Sequence, residues 1–232
     1  MICPGQPTFL RPRRHTPETR SSVQALRYLR RVEALYEALL KEGIVRLRES
    51  PPFYQWASGL LSPIYIDFRR CLAHPALRKA LVAHLLDRIK EGEIAFGGVA
   101  GVATGGISWA AWLAERLDLP MGYVRSTPKT HGTKQTVEAL SPHHGPILLI
   151  EDVFSTGQSV ATAVAHLQNE GFTVAAIAVL WNYALPGRRY APPYPFYEVL
   201  RFPHALKVWQ PHLSSCQYHI LEKWHETAEL PA

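Results

Sequence analysis

Two acids, Glu151 and Asp152, follow directly on the apolar run Ile147-Leu148-Leu149-Ile150 and precede Val153, Phe154 and the turn Ser155-Thr156-Gly157-Gln158-Ser159. That order suits a sugar phosphate. A tight turn opening a helix points several backbone N–H groups at one place, and the helix dipole favours an anion there. Gly157 lets the backbone close round a phosphate, while Ser155, Thr156 and Ser159 bring hydroxyl donors. The adjacent carboxylates can accept hydrogen bonds from the two secondary hydroxyls of a ribose. An ordinary strand end followed by a Ser/Thr-capped helix also accounts for Ser155–Ser159, but not for two consecutive acids after an apolar strand. The turn lacks the Gly-Lys-Ser/Thr ending of a nucleotide P-loop.

The elements that must position this turn read as strand, helix, strand, helix. Ala95–Val99 reads as a small-residue strand, followed by a Gly-rich run at Gly101–Gly106 and a helix near Ser108–Leu117. Met121–Arg125 and Ile147–Ile150 read as strands, Gln158–Glu170 as a helix and Val174–Leu180 as a buried strand. Continuously apolar strands alternating with helices indicate an α/β fold, a mostly parallel sheet covered on both faces. In such sheets the ligand lies at the carboxyl ends of the strands, which is where Glu151–Ser159 falls. Ser126–Leu140 is polar without a period, and a structureless stretch that long is uncommon unless functional or disordered.

Further out, Ser21 or Ser22 could cap a helix whose Leu26, Leu29, Val32, Leu35, Tyr36, Leu39 and Leu40 form one stripe, with Gly43 as its stop. Ile44–Arg48 and Ile64–Asp67 look like short strands around an aromatic, Gly-containing loop, and a second helix starts after Pro75. Beyond Pro186 the chain is Pro-rich and aromatic and is expected to pack over a sheet edge, ending in a helix near Tyr218–Thr227. The domain reading is a basic arm at 1–20, an N-terminal helix and hood at 21–72, a core at 73–186 and a C-terminal segment at 187–232.

Composition narrows the class. A chain of 232 residues with 47% hydrophobic and 19% charged residues fits a globular protein. No apolar run approaches the ~20 residues that span a bilayer, and the basic, Pro-rich start has no apolar centre for a secretory signal. Cys3, Cys71 and Cys216 are odd in number and far apart, which argues against a disulfide framework or a Cys-based zinc site. The expected location is therefore the cytoplasm, with no membrane partner. The net charge of +6 favours an anionic partner, whether phosphorylated metabolite, nucleic acid or lipid surface. Much of the excess lies in the arm and first helix, at Arg11, Arg13, Arg14, Arg20, Arg27, Arg30 and Arg31, away from the turn.

Glu151–Ser159 resembles the signature by which type I phosphoribosyltransferases bind phosphoribosyl pyrophosphate (PRPP). Three other segments resemble the orotate phosphoribosyltransferase family. Phe53–Gly59 with Ser62-Pro63-Ile64-Tyr65-Ile66-Asp67-Phe68-Arg69 is similar to its hood over the base. Gly98–Ile107 is similar to its pyrophosphate loop, and Tyr123–Gly132 to its mobile catalytic loop. The resemblance implies the type I phosphoribosyltransferase fold with a small N-terminal hood, and transfer of phosphoribose from PRPP to orotate with Mg²⁺. It assigns Glu151, Asp152, Lys129 and His131 to catalysis. Arg125, Lys129, His131, Thr104, Gly105 and Glu151 through Ser159 (Val153, Phe154, Thr156, Gly157 and Gln158 among them) go to PRPP. Ser155, Tyr65 and Tyr183 are assigned to orotate.

Mg²⁺ would be carried by PRPP without a dedicated protein cage, Asp152 being the one protein group that could reach it. The catalytic loop of this family enters the neighbouring subunit, so a homodimer with shared sites is implied. The departures are specific. Ser126 stands where a second basic residue is usual, Gly105 where a Lys is common, and Ala57 where many members have Lys. Ala139 and Gln158 replace glycines, and Tyr183 falls near where many members place an Arg that pairs with the orotate carboxylate. Two other readings stay open: an enzyme for another base, and a PRPP-binding regulator that has lost catalysis and binds nucleic acid.

Overall fold

A computed structural model describes residues 22–127, 135–186 and 190–228. The N-terminal arm, Lys129 and His131 lie outside the described residues. Helix α1 (Ser22–Lys41) ends just before Gly43, whose φ of 64° supplies the left-handed stop. The short strands β1 (Val45–Leu47) and β4 (Ile64–Ile66) pair antiparallel, and between them β2 (Tyr54–Gln55) and β3 (Leu61–Ser62) form a small hairpin. A 3-10 turn (Phe68–Ala73) then leads into α2 (Pro75–Glu91).

The centre is a six-stranded sheet in the order β10-β9-β8-β5-β6-β7. Here β5 is Gly98–Val102, β6 Met121–Val124, β7 Val137–Glu138, β8 Ile147–Phe154, β9 Val174–Asn182 and β10 Phe196–Arg201. All pairings are parallel except that of β6 with the edge strand β7. Helices α3 (Gly105–Leu117), α4 (Gln158–Asn169), α5 (Phe202–Trp209) and α6 (Ser215–Thr227) complete the fold. Two buried clusters pack the sheet: one includes Trp109, Leu148, Ile150, Trp181 and α2, the other Leu149, Phe154, Ile177 and α4. Among the described residues no helix is long and apolar enough to cross a membrane.

Three sequence boundaries shift, each for a physical reason. The strand expected at Ala95–Val99 runs three residues later and takes in Gly101. A Cβ on Gly101 would sit 2.7 Å from the Gly106 carbonyl oxygen, so that glycine is there for α3 to lie on the strand rather than for a turn. The strand expected to stop at Ile150 continues to Phe154, because β9 extends alongside and pairs Glu151 with Val179 and Val153 with Trp181. The acids therefore lie inside the strand. Beyond Pro186, Phe196–Arg201 does more than cover an edge: it is itself the edge strand, with Phe196 opposite Ile177 and Arg201 opposite Asn182.

The C-terminal segment also holds the hood. Trp181 and Trp209 meet the ring of Tyr36 of α1 edge-on, with Phe202 against Trp181, and the Tyr36 hydroxyl donates to the Arg201 carbonyl and accepts from the Arg201 N–H. Burial pushes that phenol up to about 12. From α6, Trp224 Nε1 donates to the Leu61 carbonyl at 3.0 Å, and its ring meets Trp56 edge-on. The hairpin thus stays over the strand ends because a helix far along the chain grips it.

Candidate active site

At the carboxyl ends of β5 and β8 two cavities of about 310 and about 290 Å³ adjoin, sharing Trp56, Ala103 and Ser155. The first is walled by Tyr65, Asp67 and Arg69 from the hood side, Thr104 and Gly105 from the next loop, and Glu151, Asp152 and Val153 from β8. The second is walled by Ala57, Ser58, Arg125 and Ser126, and by Thr156, Gln158 and Ser159 at the start of α4.

The second cavity is built for a phosphate. Helix α4 has no side-chain cap; its N-cap is Gly157 at φ 83°. A Cβ there would meet the Phe154 ring and the Tyr190 carbonyl at 2.9 Å, so only glycine closes this turn. The first amides of α4 have no intrahelical acceptor and stand beside the hydroxyls of Thr156 and Ser159, a ready anion site. Ser58 Oγ on the same wall is buried with no hydrogen-bond partner among the described residues. Phe154 sends its ring into the core against Phe196 and accepts from the Tyr183 N–H, so it anchors the turn from below.

The first cavity is dominated by carboxylates. Glu151 is held well above the usual carboxylate range, by burial first and by the charge of Asp152 second. Asp152 is also raised by burial, opposed by hydrogen bonds from Glu151 and the Val153 N–H and by the charge of Arg69. Glu151 is the more strongly raised of the two. Both shifts disfavour the ionised pair, so positive charge entering the cleft is favoured. That fits Mg²⁺, which binds through one or two carboxylates plus substrate oxygens and keeps several waters. Among the described residues no three His, Cys, Asp or Glu side chains cluster as a metal cage. Gly105 meets Asp152 face to face: a Cβ would lie 2.2 Å from its Oδ2.

Of the residues assigned to the base, Tyr65 lines the first cavity and contacts the Tyr54 ring at 5.6 Å. Ser155 stands where the two cavities meet. Tyr183 lies on the floor, 2% exposed, under Trp56 at 4.5 Å and hydrogen-bonded to the Ile66 backbone. Arg125 reaches the second cavity, whereas Lys129 and His131 fall outside the described residues.

Sequence reasoning passes over several contributors. Asp67 and Arg69 face the cleft, and their alternation with Tyr65 was the available signal. The roots of the segment between Arg125 and Thr136 are clamped by α4. The Arg125 N–H donates to the Thr136 carbonyl, and the Arg125 carbonyl meets His166 Nδ1 at 2.9 Å. Glu170 Oε1 accepts from the Thr136 N–H and hydroxyl, each at 2.6 Å, and from the Val137 N–H. No short motif announces such a clamp. Thr136 is buried, so Glu170→Ala strands its donors and is expected to cost about 1–3 kcal/mol. Thermal denaturation of the variant reads this directly; an unchanged midpoint would mean that the clamp carries no stability.

A parallel sheet with paired acids and an open helix start at its strand ends defines a phosphoribosyltransferase, and the phosphoribosyl transferase domain model matches residues 72–215. The orotate phosphoribosyltransferase of Lactobacillus johnsonii is 37% identical over 205 residues, 84% of this chain and 93% of the relative. The crystal structure of orotate phosphoribosyltransferase from Aeropyrum pernix is similar with a TM-score of 0.61 and 30% identity, over 75% of this chain and 97% of that one. A UMP synthase of Leishmania donovani shares the fold (TM-score 0.67, 23% identity), this chain spanning 42% of its length. The chain belongs to the orotate phosphoribosyltransferase family.

Proposed function

We propose that the chain transfers the 5-phosphoribosyl group of PRPP to orotate, giving orotidine 5′-phosphate and pyrophosphate, as a cytoplasmic homodimer in UMP biosynthesis. The observation that carries this reading is the Glu151–Asp152 pair, with Glu151 buried and Asp152 half-buried, set between the Ala103–Gly105 loop and the open start of α4. A ribose placed over the pair has a phosphate site on one side and a loop with exposed backbone on the other.

The transition state is a ribosyl cation with little bonding to base or leaving group, so charge at fixed positions decides the rate. Glu151 and Asp152 accept from the ribose hydroxyls and offset the positive ring. The 5′-phosphate takes the first N–H groups of α4 with Ser155, Thr156 and Ser159. Arg125 and the backbone at Thr104 and Gly105 receive pyrophosphate, with Lys129 and His131 supplied by the neighbouring subunit. Orotate lies beneath the hood by Tyr65 and Ser155, over the floor that Tyr183 and Trp56 make. Mg²⁺ would supply positive charge to the leaving group, with Asp152 as the protein group that would be at hand to hold it.

Mixing the protein with PRPP, Mg²⁺ and orotate tests the whole. Orotate absorbance should fall, only with Mg²⁺ present, with one pyrophosphate released per orotate consumed. Thermal stabilisation by PRPP without orotate loss would sink orotate as the base and leave PRPP binding standing. A complete lack of response to PRPP would sink both.

A further inference from the structure

The first cavity holds three carboxylates, Asp67, Glu151 and Asp152, and Arg69 is the one Lys or Arg among its described lining residues. Pyrophosphate leaving PRPP carries several negative charges, so a site composed of this wall alone would repel its own product. The loop beneath it cannot correct that. Ala103, Thr104 and Gly105 bring no charge, and a Cβ on Gly105 would run into the Asp152 carboxylate. No side chain, least of all the Lys common at that place in the family, fits there while Asp152 keeps its position.

Arg69 approaches from across the cleft. Its Nε donates to Asp67 Oδ1 at 2.7 Å and its Nη2 to the Tyr65 hydroxyl at 3.1 Å. Two of its five donors are thus spent on holding the planar fork, leaving three for an anion. The side chain is 58% exposed, so it reaches an incoming ligand without rearrangement of the core. The 3-10 turn that carries it is seated by Phe68 against Trp109 of α3, the helix whose first residue is Gly105. The turn therefore sits over the pyrophosphate loop, and the charge of Arg69 reaches Asp152.

Building on the proposed reaction, we propose that Arg69 is the leaving-group cation of this enzyme. Held by Asp67 and Tyr65, it binds pyrophosphate opposite the Thr104–Gly105 backbone and does from the hood side what a loop lysine cannot do here. Asp67 is a positioning residue in this arrangement, since it fixes the guanidinium without touching the substrate.

The orotate carboxylate is the other anion that a free guanidinium could pair with, especially as Tyr183 stands where an Arg is usual, and kinetics in both directions separates the two. Arg69→Ala should raise the KM for pyrophosphate in the reverse reaction and lower forward kcat, each roughly 10- to 100-fold, as loss of a charge-assisted hydrogen bond predicts. The orotate KM should stay within about threefold, and Arg69→Lys should recover part of the loss, because a point charge replaces the fork. Asp67→Asn should show a weaker form of the same pattern. A higher orotate KM with pyrophosphate unaffected would overturn the proposal in favour of the base carboxylate. Unchanged constants throughout would overturn it outright. Calorimetric binding of Mg²⁺-pyrophosphate to wild type and Arg69→Ala needs no turnover and no base. If the orotate assay failed while this binding still weakened in the variant, the leaving-group assignment would stand and the choice of base would fall.

Discussion

Asp152→Asn should give a folded protein whose turnover is lowered roughly 100- to 1000-fold, the effect of removing one preorganised charge from a site where charge develops. The substitution keeps the shape and the hydrogen bond that Asp152 Oδ1 accepts from the Val153 N–H at 2.8 Å. What it removes is the negative charge beneath the ribose, so the KM for PRPP should change far less than kcat. Stability should move the other way. Burial raises the acid in the folded state, so any stability it contributes is present below its unfolded pKa and lost as pH rises through the raised value. At neutral pH the burial of the ionised carboxylate is therefore a cost. Asn removes it, and the variant should melt at or above the wild-type temperature at pH 7, with the gap narrowing on acidification. Turnover within a few-fold of wild type would take Asp152 out of the chemistry. A lower melting temperature at pH 7 would show that the paired acids stabilise the fold instead of burdening it.

That opposition explains which parts of the site can be read from sequence. The acids and the turn after them are contiguous, and their chemistry survives the error in where β8 ends, because Glu151–Ser159 stays at the carboxyl end of the sheet whether the strand stops at Ile150 or Phe154. Period and apolar runs likewise suffice for α1, α2, α4 and for a mostly parallel sheet, though not for the order of its strands. Other features depend on what comes near in space. Gly101 and Gly105 look alike in a Gly-rich run, yet one makes room for a helix and the other for a carboxylate. Trp224 holds the hairpin through Leu61, and Glu170 holds Thr136, across separations at which no spacing rule operates. Phe196–Arg201 is hidden as a strand because prolines flank it and because its partner β9 is already long enough to pair on both sides. Ala139 is the reverse case: it stands where the family usually has Gly, and its φ of 66° shows that the backbone there keeps the conformation glycine favours.

Lys129→Ala should lower turnover by roughly 100-fold or more while leaving the melting temperature unchanged. The described walls of the cleft bring Arg69 and Arg125 against Asp67, Glu151 and Asp152, so no positive excess remains to receive pyrophosphate. Lys129 belongs to the segment that leaves the cleft at Arg125 and returns at Thr136, two residues tied to each other and to α4. Its resemblance to the family's catalytic loop implies that it serves the neighbouring subunit. Mixing supplies the decisive form of the test. Lys129→Ala and Asp152→Asn are each expected to be nearly inactive, but a mixed dimer has one site in which an intact carboxylate pair meets an intact loop. With random reassortment half the dimers are mixed and half of their sites are whole, so activity should return to roughly a quarter of wild type. A loop acting within its own subunit would leave one defect in every site, and mixing would then restore nothing. Near-normal turnover of Lys129→Ala alone would remove it from the mechanism altogether.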